Sequence, residues 1–572
     1  MKFLMKKIYI ILFLFTISFL QQETLAKDSN IRYTRENISH YFLGILSSSQ
    51  DYNTQAFNHL KKIQTLKTQH SKFNIEFVRT LILLEKFDQA FSFSKSVWSS
   101  SEYLYEIDLI LGLKYFLVND YSNAEKHFKR LNKISNYNPF FNDFIGNILL
   151  SWLYAEKNDK AQSFQIIDEI PKPYRHIVKI HKSFLECFFN TNEAQNSFEK
   201  LIADNDYNFS RYNFFLANYF LYKDKISEAK KIINYGKKEH ASNLLIKHTE
   251  NLLLNGKIKE IIQLFDCKNS KHNISEFFYI LANLYSSEND YQMSNFYLKI
   301  SLLFNDKFLT NKALLAENYY YQKRYKVSKN VYTSLKSIGP TYFWFSSKSI
   351  SSILLKTKGK KAAIDLLKKN FKSLPDKNFE HYYELANFYK DNDYYLESIK
   401  YYSLALEKIN KDHSLVHKIL DRRGTSYERL DDWKNAEKDL KESLKIKPNQ
   451  PHVLNYLAYS WIDKGINLDE GLEMLIKAKE LKKNDGYIID SLGWAYYAKQ
   501  NYSEAKFFLE KAVELLPLDP VINDHYADAL WMLNKNIQAR YVWNYVLKLE
   551  DTQKELKDSI NKKLLFGIQE KL

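Results

Sequence analysis

The chain of 572 residues is far longer than one compact core can serve, so several domains or a single repeat array are expected. Its 13 Gly and 9 Pro fall well below the usual roughly 7% and 5%, which argues against Gly-rich nucleotide-binding turns and all-β folds and favours long helical runs. The formal net charge is +16, but Lys is interleaved with Glu and Asp, as in Lys434 to Lys447, and no Arg cluster or basic block with stacking aromatics is present, so nucleic acid is not an expected partner.

In chain order, Lys2, Lys6 and Lys7 precede the apolar run Ile8 to Leu20, and Thr24-Leu25-Ala26 supplies small residues before Lys27. A charged region, a short apolar run and a small-residue site make residues 1–26 a secretory signal peptide. The chain is therefore expected to be exported to the periplasm, with membrane association only if the signal stays uncleaved. No Cys lies near the cleavage site, so a lipid anchor there is not expected. Cys187 and Cys267 stand 80 residues apart on different predicted helices. Neighbouring-repeat geometry would not bring them together, so a disulfide is not expected and both read as core fillers.

Residues 27–265 carry helix pairs that match a common pattern loosely. Leu43-Gly44, Ala56 and Leu60 fit it, Val78, Leu81 and Ala90 fit weakly, and Leu111-Gly112, Tyr115, Ala124, Phe128 and Leu131 fit well. Two poorer pairs surround Ala161 and Ala194. Leu216-Ala217, Phe220, Ala229 and Ile233 return to a clear match, and a weak pair covers 241–266. The polar stretch Asp266 to Asn273 is the best candidate for an internal boundary.

From 275 to 550 the register tightens. Leu281-Ala282, Tyr285, Ser294, Leu298 and Ser301 recur 34 residues later as Leu315-Ala316, Tyr319, Ser328, Tyr332 and Leu335. A looser unit around Ala363 and Leu367 leads to Leu385-Ala386, Tyr389, Ser398, Tyr402 and Ala405. The best-matching units occupy 417–550. They are marked by Gly424, Tyr427 and Ala436, then Leu457-Ala458, Trp461 and Gly471. Leu492-Gly493, Tyr496, Ala505, Leu509, Ala512 and Pro517 follow, then Tyr526-Ala527, Leu530, Ala539 and Trp543. In each unit the first residues share one stripe of a first helix and the later ones share a stripe of a second, with small residues where the backbones approach. Residues 551–572 form an amphipathic capping helix with Leu556, Ile560 and Leu564 on one stripe. The spacing predicts about thirteen helix pairs, all α.

No motif for chemistry is present. There is no HExxH, GxSxG or Cys-x-x-Cys, and Gly359-Lys360 lacks the earlier Gly of a phosphate-cradling loop. His413 and His417 lie four apart without a third ligand nearby and read as a solvated pair. Asp431-Asp432 and Asp469-Glu470 stand where turns and N-caps are expected. No catalytic residue, metal, cofactor or small-molecule substrate is therefore expected. What remains is surface. Non-core positions of the first helices, in register, are Tyr383 and Asn387, Asn455 and Tyr459, Asp490, Trp494 and Tyr497, and Asp524, Asp528 and Trp531. Asn and Asp can bond an extended backbone, and Tyr and Trp offer rigid contact area, so these ten are the expected partner-binding residues.

The recurring 34-residue pattern resembles the tetratricopeptide repeat (TPR). The resemblance implies a TPR-type α-solenoid whose first helices line a groove that binds protein. The run from Leu454 to Trp461 through Gly465-Ile466-Asn467 to Asp490-Ser491-Leu492-Gly493-Trp494 is more particular. It is similar to exported proteobacterial TPR proteins, one branch of which are adaptor lipoproteins for a carboxyl-terminal processing protease acting on cell-wall hydrolases. That similarity implies a non-catalytic envelope scaffold or adaptor with an envelope protease or cell-wall hydrolase as partner. The alternative is a component of envelope polysaccharide or secretion machinery. The chain departs from the lipoprotein branch in lacking the lipidated Cys.

Overall fold

The computed structural model describes residues 33–135, 144–204, 210–239 and 243–568, and the signal peptide expected at 1–26 lies outside them. Among the described residues there are 31 α-helices and no strand. They form fifteen consecutive pairs and a final single helix, Lys554–Phe566. The weakly patterned stretches are pairs as complete as the rest, including Ser71–Leu83 with Phe87–Val97 and Leu244–Leu254 with Ile258–Leu264. The fold is a TPR-type α-solenoid.

The turn inside most pairs is built the same way. One residue just past the first helix takes the left-handed conformation, with φ of 61° at Asn119, 58° at Asn158, 63° at Asn289, 60° at Asp431 and 61° at Asn534. Asn and Asp tolerate that region better than other residues with a side chain. In several turns the next residue then caps the second helix. The Asp159, Asp290 and Asp432 side chains accept hydrogen bonds from the backbone N–H groups of Gln162, Met293 and Asn435. Asp431-Asp432 thus serves as turn and cap, as its position predicts. The pair Pro451–Asp463 and Leu468–Leu481 has one extra residue here, and its turn uses two left-handed residues, Gly465 and Asn467.

The small residues set how closely each pair packs. A Cβ on Gly493 would lie 2.6 Å from Leu509 Cγ, and one on Gly112 would lie 2.6 Å from Phe128 Cε1. Ala505, Leu509 and Ala512 are fully buried and Leu492 nearly so. His417 is also buried, at 6% exposure, which corrects its reading as half of a solvated pair. Burial in the helix junction holds its imidazole below the usual pKa.

The chain divides into two compact units, Met1–Ile353 and Leu354–Leu572. Within the first unit, the helices Ser270–Ser287 and Tyr291–Phe304 fold back onto helices far earlier in the chain. Tyr105 and Tyr297 share a hydrogen bond of 3.0 Å, and Gln292 Nε2 donates to the Ser48 carbonyl at 2.7 Å. Arg211 is bidentate to Glu276 at 2.7 and 2.8 Å, and Lys299 pairs with Glu85. The Phe277 ring lies 5.6 Å from Phe144 and 5.5 Å from His181.

This return brings Cys267, just ahead of Ser270, to the helix Arg175–Phe188. Cys187 and Cys267 form a disulfide with their Cα atoms 6.0 Å apart. The expectation of two unpaired core cysteines is thereby corrected. It assumed that only neighbouring repeats touch, whereas this unit closes on itself.

Candidate partner-binding surface

The C-terminal unit sets five first helices in succession, Phe379–Lys390, Val416–Glu428, Pro451–Asp463, Gly486–Ala498 and Pro520–Met532, and the ten predicted residues lie on four of them, none on Val416–Glu428. Each lies one repeat from the next, so residues at equivalent turns fall side by side. Three of the ten predicted residues are not free to meet a partner. Asp490, Asp524 and Asp528 are 6%, 7% and 6% exposed. Asp490 holds His525 Nδ1 at 3.0 and 3.2 Å. Asp524 and Asp528 share Lys563 of the final helix at 2.7–2.9 Å, and Trp543 Nε1 donates to Asp528 at 3.1 Å. These carboxylates join one first helix to the next. They are corrected from partner-binding to structural, because a buried charge needs a counter-charge and the neighbouring helix supplies it.

Asn387 is likewise engaged. Its Oδ1 accepts from the Tyr402 hydroxyl at 2.8 Å and from Arg422 at 2.9 Å. Asn455 is half-buried, and its Oδ1 is shielded from solvent with no hydrogen-bond partner. Trp531 is half-buried against Trp543 at 5.4 Å, with Arg540 over its ring and Gly567 pressed against it.

The remaining four residues are aromatic and half-buried: Tyr383, Tyr459, Trp494 and Tyr497. Trp494 lies between two parallel rings, Tyr497 at 4.6 Å and 6° and His525 at 4.1 Å and 14°. Burial alone would lower the His525 pKa, but Asp490, with Asp524 and Asp528 behind it, raises it above the ordinary value. The imidazole lies flat against the face of Trp494 while its Nδ1 is held by Asp490. Burial raises the Tyr459 phenol, and Asp490 adds to the effect, which places Tyr459 beside the same cluster. Burial and then Asp528 act alike on Tyr497. Asp528 itself is pushed up to about 6 by burial and by Asp524, against the pull of Lys563.

The result is a rigid aromatic ridge across successive first helices, fixed from beneath by ion pairs. Sequence reasoning found Trp494, Tyr497 and Tyr459 but missed His525 and Lys563. A signal for both was present, because Asp490 to His525 and Asp528 to Lys563 are each separated by 35 residues, close to one repeat. Among the described residues no cluster of three or more His, Cys, Asp or Glu could hold a metal, and no helix is long and apolar enough to cross a membrane.

No family model matches the chain. A TPR repeat-containing protein of Pseudomonas aeruginosa is 26% identical over 167 residues, which is 29% of this chain and 28% of the relative's own length. Among solved structures, a tetratricopeptide repeat protein from Parabacteroides merdae covers 39% of this chain and 87% of its own at 18% identity and a TM-score of 0.34. The Cut9–Hcn1 hetero-tetramer of the APC/C covers 93% and 96% at 14% identity and a TM-score of 0.37.

Proposed function

We propose that this TPR-type repeat protein is a non-catalytic scaffold of the bacterial cell envelope that holds a protein partner on the first-helix face of its C-terminal unit. The observation that carries the reading is the stack of Tyr497, Trp494 and His525, with Tyr459 beside it. Large, partly exposed rings already locked in place present contact area at little further cost in side-chain entropy, which is how Trp and Tyr anchor interfaces. The polar residues beneath, His525 among them, are consumed in holding that ridge, so recognition depends on shape and apolar contact.

Export is supported by the charged and apolar N-terminal run and by the Cys187–Cys267 disulfide, a bond that persists in oxidising compartments. The proposed partner is an envelope protease or a cell-wall hydrolase, on the resemblance of residues 454–494 to the exported TPR adaptors.

Photo-crosslinking in intact cells tests the reading. A photoreactive residue at Tyr459 is expected to capture a defined partner, whereas the same residue at Tyr541, 78% exposed on the last second helix, is not. Trp494→Ala should reduce the Tyr459 crosslink at least tenfold while thermal unfolding stays within a few degrees. Equal capture from both positions, or an adduct insensitive to Trp494→Ala, would sink the assignment.

A further inference from the structure

The N-terminal unit carries an open pocket of 740 Å³ between its own first helices. Arg175–Phe188, Tyr212–Tyr222 and Leu244–Leu254 form one wall, and Ser270–Ser287 and Leu309–Tyr321 form the other. The lining is mainly apolar, from Ile180, Leu244, Ile280, Leu284, Leu314 and Phe345. Its size falls within the roughly 300–1,000 Å³ of sites that enclose a ligand.

The charges facing this space are unequally satisfied. Arg211 is held by both Glu276 oxygens, donates to Thr310 at 3.1 Å and lies 3.9 Å over the Tyr279 ring. His176 is held neutral by burial, which lowers its pKa. Glu317, two turns beyond Thr310 on the same helix, has no ion pair or hydrogen bond among the described residues. Burial pushes its carboxyl above the usual range with no cation to oppose it. A half-buried carboxylate on an apolar pocket wall, without an ion pair or hydrogen bond from the protein, is a place where a cation brought in by a ligand is stabilised. A hard metal ion is a poor candidate, because it needs several oxygen ligands and these walls supply one free carboxylate. An ammonium or guanidinium on an apolar stem fits both the charge and the walls. Asn243 caps its helix through Oδ1 and Asn283 donates to the Tyr279 carbonyl through Nδ2, which leaves the Asn243 amide nitrogen and the Asn283 amide oxygen to bond a peptide backbone.

We propose that this pocket receives a basic side chain, lysine or arginine, from an apolar segment of a partner polypeptide, with the charge seated on Glu317 and the stem against the hydrophobic walls. The site lies in the N-terminal unit and does not depend on the aromatic ridge of the other unit.

Equilibrium dialysis of the full chain against two pentapeptide libraries tests this. Both libraries carry mixed apolar flanks. One has lysine fixed at the centre and the other has norleucine. Wild type is expected to enrich the lysine library at least tenfold over the norleucine library, and Glu317→Gln to abolish the preference. Equal retention of the two libraries, preference unchanged in the variant, or no retention of lysine peptides at millimolar concentration would each overturn the proposal. Pentylamine bound as tightly as the peptides would do so too, by pointing to a free amine.

Thermal unfolding supplies an independent check on the variant. A carboxyl raised in the folded state contributes stability below its unfolded pKa and loses it as pH rises through the folded value. Glu317→Gln should therefore match wild type near pH 4 and melt higher near pH 8. A lower melting temperature at both would mean that Glu317 has a structural partner, and the site would be withdrawn.

Discussion

Lys563 occupies a position where one side chain balances two carboxylates that are 93% and 94% or so enclosed by protein, Asp524 and Asp528. Removing it leaves two like charges buried side by side. Lys563→Met should destabilise the C-terminal unit by about 3–5 kcal/mol, the usual cost of breaking a buried ion pair from one side. The sign with pH follows from the raised Asp528 pKa of about 6. Without Lys563 the carboxyls titrate higher still, so stability is retained at low pH and lost as pH rises. The deficit should grow between pH 5 and pH 8 in denaturant titrations, and a deficit constant over that range would contradict the burial argument. The acids at helix spacing were legible in the sequence; their use was not. An acid on one first helix looks free until its base is sought one repeat away, and a Lys in an amphipathic cap reads as solvated surface.

A helix pair depends on the contact at its crossing. Gly493 lets the first helix of its pair approach Leu509, and the Cβ of Gly493→Ala would stand 2.6 Å from Leu509 Cγ and 3.1 Å from the Leu509 backbone nitrogen. Leu509 is fully buried and has little room to yield. The substitution is expected to cost about 1–3 kcal/mol by overpacking, despite the better helix propensity of Ala. Chemical denaturation should show it, and a stabilised variant would mean that the pair can separate freely. At this scale the sequence was most readable. Repeat spacing, the small-residue stripe and the Asn or Asp turns are local, and each appears as a short-range pattern. The structure has fifteen pairs against about thirteen expected, and the pattern is weakest in pairs such as Ser71–Val97, which apolar burial holds together.

Across the whole N-terminal unit the decisive contacts join residues tens to hundreds of positions apart. Tyr105 to Tyr297 spans 192 positions and Ser48 to Gln292 spans 244. Such contacts leave no periodic trace, so repeat spacing does not reveal the pairing of Cys187 with Cys267. The disulfide closes a loop of 80 residues inside this unit. Replacing both cysteines by serine should lower its stability by about 2–5 kcal/mol. With two compact units, unfolding followed by circular dichroism should resolve into two transitions. Only the one assigned to the N-terminal unit should move, and an equal shift in both would show that the disulfide acts beyond its own unit.

The 35-residue pairing of Asp490 with His525 and of Asp528 with Lys563 has a consequence for how such an array can change length. The first helices Gly486–Ala498 and Pro520–Met532 each carry an acid whose partner base arrives with a later helix. Such a helix pair is thus complete as a packed object and incomplete as a charge-balanced one. Trimming the chain after Leu516 would leave Asp490 without its counter-ion, although every remaining pair would keep its own core. A duplication or deletion that preserves balance must carry the acid together with the next base. The piece of chain that can be copied safely is therefore staggered relative to the piece that packs.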